Sequence, residues 1–210
     1  MAEIARRLDA IKAEVGKTGE VKWKNAKSYN GRAHTAYVDY LFELIAEKKA
    51  QFHIRFSEMA DYDHRLSGER RKVDTISKAF YQLLLHRPCR YYHNLSVFIH
   101  PDDGEYTALL PDQIGALNHQ CRQRFGGQED GCVKVIEPRS SEREQMLQLL
   151  DVPLGALAAL RNGRTLPEAY SPIKRALANH VLAHTGWPNV LGNTEITHAS
   201  VNKWNARPNR

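Results

Sequence analysis

The stretch "EPRSSEREQMLQLLDVPLGALAAL", residues 137–160, limits the fold more than any other segment. Leu147, Leu149, Leu150, Val152 and Leu154 give it the apolar body of a helix that must pack against other elements, yet Asp151 sits in its middle. Ser141 and Glu144 have the spacing of a capping box, which predicts that the helix opens there. Asp151 then has two readings. As an N-cap it starts a further helical segment, with Pro153 accepted in the first turn. As a functional acid it shares a face with Gly155 and Ala158, a stripe small enough to leave room for a cation and a substrate. A buried carboxylate without a partner is strongly destabilising, so the second reading calls for a partner.

Periodicity elsewhere supplies the layers around this helix. Ile4, Leu8, Ile11 and Val15 mark a helix over 2–15, and Tyr37, Leu41, Leu44 and Ile45 another over 31–48. "QFHIRFSE" alternates Phe52, Ile54 and Phe56 with polar residues, as a strand with one wet face does. Val73, Ile76, Phe80, Leu83 and Leu84 predict a helix over 69–86. "YYHNLSVFIH" reads as a strand whose apolar end is buried on both sides. A helix from Pro111 to 125, the strand "GCVKVIE" and a helix over 171–185, from Ser171 and Pro172 to Gly186, complete the order. This alternation predicts one α/β domain over 1–210 with a small sheet, 1–18 forming a leading helix and 187–210 a C-terminal strand or tail.

No apolar run reaches the length of a membrane span, and the charged amphipathic start lacks the apolar core of a signal peptide. Cys89, Cys121 and Cys132 show no paired spacing. A reduced cytoplasmic setting without a membrane partner follows as the expectation. The formal charge of +6 favours a polyanionic partner only weakly.

Other acids stand at element boundaries. Glu137 ends the strand "GCVKVIE", where ligand sites gather in open α/β sheets, and reads equally as a plain strand-end acid. Glu20 lies in "TGEVKWKN" among Lys22, Trp23 and Lys24, and reads equally as a solvated loop acid. His100 closes "LSVFIH" as a metal ligand or a polar strand terminus. Asp102 and Asp103, just beyond it, read equally as turn residues before Gly104. Oxygen ligands suit Mg²⁺ or Mn²⁺, which activate water and stabilise a phosphoryl transition state. The sequence holds no phosphate loop, dinucleotide fingerprint, zinc spacing or Gly-x-Ser-x-Gly elbow.

"GEVKWKN" and "MLQLLDVPLGALAAL" resemble the "GEIKW"-like segment and "LQLADLLAGA"-like helix of a bacterial and phage-associated family called domain of unknown function 3800. "ASVNKWN" resembles that family's late Trp-containing strand. The resemblance runs from Gly19 onward. It implies an RNase H-like fold, a small mixed sheet flanked by helices, and a metal-dependent nuclease or related phosphoryl-transfer hydrolase acting on nucleic acid. On that basis Glu20, Glu137 and Asp151 are the catalytic acids. With His100 they hold Mg²⁺ or Mn²⁺, while Lys22 and Lys24 face phosphate. His100 stands where many members carry Asp. The family's opening strand, with its Tyr-x-Asp-Glu-Ser-Gly-like motif, has no counterpart here. The expectation is therefore that N-terminal strands are missing or supplied by another chain, leaving sheet edges open to a homodimer. The alternative is a degenerate, non-catalytic module that binds nucleic acid or a protein partner.

Overall fold

The computed structural model describes residues 2–58, 72–167, 170–194 and 200–206. The protein is a mixed α/β chain in which helices dominate and the sheets are small. The helices are α1 (Ala2–Glu14), α2 (Gly31–Ala46), α3 (Lys72–Leu84), α4 (Arg90–Tyr92), α5 (Ile114–Phe125), α6 (Gln145–Arg161) and α7 (Pro172–Thr185). The strands are β1 (Phe52–Ser57), β2 (Val97–Ile99), β3 (Val133–Ile136) and β4 (Val201–Ala206). Among the described residues no helix is long and apolar enough to cross a membrane. The expected helix over 69–86 starts in part outside the described residues, as do the last residues of the expected C-terminal tail.

The chain divides into two compact units, Met1–Phe56 with Ser141–Asn205, and Ser57–Ser140 with Ala206–Arg210. In the first unit α2, α6 and α7 pack on one another, and α1 lies against α2 and α6. Their apolar stripes meet in one core that includes Leu8, Tyr37, Leu41, Leu44, Leu149, Val152, Leu157 and Val181. β1 and β4 pair at this unit, beginning with the Phe52 amide donating to the Ser200 carbonyl at 2.7 Å. Phe52 and Ile54 of β1 enter the core, as their alternation requires.

The second unit is a βαβ arrangement. β2 and β3 are parallel, in register Val97↔Val133, Phe98↔Val135 and Ile99↔Ile136. α5 lies between them in sequence, which supplies the long crossover that parallel strands need. The core of this unit gathers Leu84, Leu85, Leu110, Leu117, Val133 and Ile136 with all three cysteines.

Two local expectations are corrected. β2 is short, and Phe98 and Leu95 are exposed rather than buried on both sides. A two-stranded sheet packed on one face cannot cover the other. Helix α6 begins at Gln145 after Glu144, whose side chain makes no cap bond, so the Ser141–Glu144 box does not form. Ser141 instead donates its hydroxyl to Glu20, 121 residues away in sequence.

Candidate functional site

The segment Glu20–Asn25 is held on the first unit by a row of polar contacts. Gln148, buried on α6, accepts from the Val21 amide through Oε1 at 3.0 Å and donates through Nε2 to the Ser141 carbonyl at 2.6 Å. Asp151, one turn along α6, accepts from the Trp23 amide at 2.6 Å. Buried His34 turns its two ring nitrogens to the carbonyls of Lys22 and Asn30, each at 3.0 Å. Trp23–Asn25 forms a short 3-10 turn, whose first amide is an orphan donor that a cap must satisfy. The preceding residue is Lys22, which makes no side-chain cap bond. The Asp151 carboxylate thus caps the turn from another element.

The reading of Asp151 as the N-cap of a further helix is corrected. α6 runs without interruption from Gln145 to Arg161 with Pro153 inside it, so no new helix starts at Val152. The small stripe is not vacant either. A β-carbon on Gly155 would lie 2.3 Å from Trp23 Cγ, so the indole fills the space over that glycine. Asp151 is half-buried and Leu154 partly exposed, which gives this face of α6 a wet side.

Glu20 accepts from the Ser141 hydroxyl at 3.2 Å and pairs with Lys22 at 2.8 Å. The hydrogen bond from Lys22 is the largest influence holding its carboxyl below the usual range, with smaller contributions from Ser141 and Lys24. Lys24 is exposed. Lys174, on α7, brings its ammonium 5.4 Å from the Trp23 ring centroid and donates to the Lys24 carbonyl at 3.4 Å. Sequence reasoning missed Lys174, because nothing in "SPIKRALANH" marks it as a neighbour of a residue 150 positions earlier.

Glu137 and His100 belong to the second unit. The Glu137 amide donates to the Ile99 carbonyl at 2.9 Å, prolonging the parallel ladder. Its carboxylate is exposed and pairs with Arg139 at 2.7 Å. Exposed His100 places Nδ1 3.4 Å from the Glu137 carbonyl. The expected site residues therefore form two groups: Glu20, Lys22, Lys24 and Asp151 on one unit, His100 and Glu137 on the other.

Among the described residues, two groups of three side chains bring metal-competent atoms within 4.8 Å of one another, and neither includes an expected ligand. One is Cys89, Cys121 and Cys132, all buried; Cys121 and Cys132 place their sulfurs 3.4 Å apart, and all three are free thiols. Burial pushes Cys121 up to about 11 and Cys89 higher still. All three thiols pack in the core of the second unit. The other is Asp39, His180 and His184 on α2 and α7. Its sequence signal was the "HVLAH" spacing, which sets two imidazoles on one helix face. Comparison with protein-family models, curated proteins and solved structures gave no match.

Proposed function

We propose that this protein is a metal-dependent hydrolase of the RNase H-like class that acts on nucleic acid. The observation that carries the reading is the setting of Trp23. Asp151 accepts from the first amide of the turn that bears it, Glu20 pairs with Lys22 just before that turn, exposed Lys24 lies within it, and Lys174 stands over the indole ring. Cations with an aromatic face suit a nucleic-acid strand, and carboxylates suit Mg²⁺ or Mn²⁺. In this reading Glu20 and Asp151 supply carboxylate oxygens to the ion. Lys24 and Lys174 neutralise the phosphate backbone. The ion would activate the attacking water.

A specific observation favours a second reading, a non-catalytic module of the same class. One Asp151 oxygen is engaged by the Trp23 amide, Glu20 is paired with Lys22, and the indole covers Gly155. The experiment is cleavage of single-stranded, duplex and hybrid substrates with Mg²⁺ or Mn²⁺, run beside binding to the same strands. The hydrolase reading expects cleavage that depends on the ion and is lost in Asp151→Asn and Glu20→Gln. Salt-dependent binding with no cleavage under either metal selects the second reading. Neither binding nor cleavage removes both.

A further inference from the structure

Asp39 on α2 accepts from two imidazoles of α7 through a single oxygen. His180 Nε2 lies 2.6 Å and His184 Nε2 3.0 Å from Asp39 Oδ1. The two histidines are four residues apart, so one helix face presents both. Their rings are perpendicular, at 89° with centroids 4.6 Å apart, and converge on the same oxygen. Phe42, one turn beyond Asp39 on α2, stacks on His184 at 4.8 Å and 13°, which limits that ring's rotation. Two imidazoles and a carboxylate, on two helices of the same packed unit, thus meet at one point from positions 141 and 145 residues apart in sequence.

We propose that Asp39, His180 and His184 bind one transition-metal dication of the Zn²⁺, Co²⁺ or Ni²⁺ class. The donor set selects the ion. Imidazole nitrogen with one carboxylate suits these borderline cations, whereas Mg²⁺ prefers oxygen ligands. The geometry is near what such an ion needs. Ligand atoms about 2.0–2.1 Å from a tetrahedral ion stand roughly 3.3 Å from each other. The two nitrogen–oxygen separations need to open by only several tenths of an ångström, within the freedom of side chains that are 34–45 % exposed. Without the ion, each Nε2–H donates to Asp39. With it, each histidine turns Nε2 into a ligand by carrying its proton on Nδ1. Three protein ligands leave a tetrahedral ion one position short, and the exposure of the triad opens that position to solvent. The site shares no residue with the acids of the proposed hydrolase.

The test is titration of the full chain, stripped of metal, with Co²⁺ followed by its absorption and with Zn²⁺ by equilibrium dialysis, both in excess Mg²⁺. The expected result is one equivalent bound, ligand-field bands without a thiolate charge-transfer band, and movement of two histidine resonances in the unaltered chain. His184→Ala and Asp39→Asn should each weaken binding by more than the roughly 10–100-fold typical of outer-shell substitutions. Cys121→Ala should bind as the parent does. A thiolate charge-transfer band would place the ion on the cysteines and overturn the proposal. So would unchanged affinity in both triad variants, or a parent chain with no saturable Co²⁺ or Zn²⁺ binding. The histidine resonances keep the proposal testable if a variant fails to fold.

Discussion

The indole of Trp23 occupies the volume that a side chain on Gly155 would need, with Cγ 2.3 Å from the position of a β-carbon there. Two opposing effects meet at this glycine. In a helix interior, Ala is favoured over Gly by roughly 0.5–1 kcal/mol. Forcing atoms into an occupied site costs about 1–3 kcal/mol. Packing should win, so Gly155→Ala should lower stability and displace Trp23. Denaturation followed by tryptophan fluorescence reads both. A more stable variant with an unshifted emission maximum would show that the turn moves aside without cost.

Asp151 and Gln148 make different demands on their replacements. Asp151→Asn keeps a side-chain oxygen for the Trp23 amide, so its melting temperature should stay close to the parent's. Asp151→Ala should cost about 1–3 kcal/mol, because the amide loses its acceptor. Gln148→Leu should cost more than Asp151→Ala. It removes the acceptor of the Val21 amide and the donor to the Ser141 carbonyl at a buried position. Amide exchange at Val21 and Trp23 checks the assignment: each should speed up in the variant that removes its acceptor and stay slow in the other.

The buried thiols predict an alkaline loss of stability. Cys121 titrates near 11 and Cys89 higher, chiefly through desolvation, while thiols of the unfolded chain titrate near 8.5. Above that pH the unfolded chain has lost protons that the folded one retains. The stabilisation is therefore complete below about pH 8.5 and is lost as pH rises toward the folded values. Denaturant titrations from about pH 8 to about pH 10 should show the decline, and Cys121→Ala should make it shallower. An identical slope in that variant would assign the loss to other groups.

β2 and β3 form a two-stranded sheet, and Phe98 on β2 is 61 % exposed with Leu95 nearby at 59 %. Open strand edges beside exposed apolar side chains favour pairing with a second copy. The expected state is a homodimer that Phe98→Lys converts to monomer. Light scattering over a concentration series measures it. A parent chain that stays monomeric at the highest concentration would rule out association at this edge.

The sequence by itself determined where most helices lie and which faces they bury. Leu8 and Ile11, Tyr37 and Leu41, and Leu177 and Val181 fall at helical spacing, and local periodicity needs no knowledge of partners. It also determined the ends of α7, through Pro172 in its first turn and Gly186 in the left-handed conformation beyond its last. Tertiary structure alone decided what the polar groups do. Ser141 has the local pattern of a cap, but α6 begins only at Gln145 and the Ser141 hydroxyl donates to Glu20. Asp151 looks like a helix start or a ligand; it starts no helix, and one of its oxygens meets the Trp23 amide. Cys89, Cys121 and Cys132 have no motif spacing, yet α5, β3 and the turn before α4 bring them together. Asp39 gave no signal at all until α2 and α7 packed and set it between His180 and His184. A hydrophobic stripe specifies only a direction of burial, which periodicity encodes. A hydrogen bond or a ligand set needs particular atoms within about 3 Å, and for residues more than a hundred positions apart only the packed chain fixes that distance.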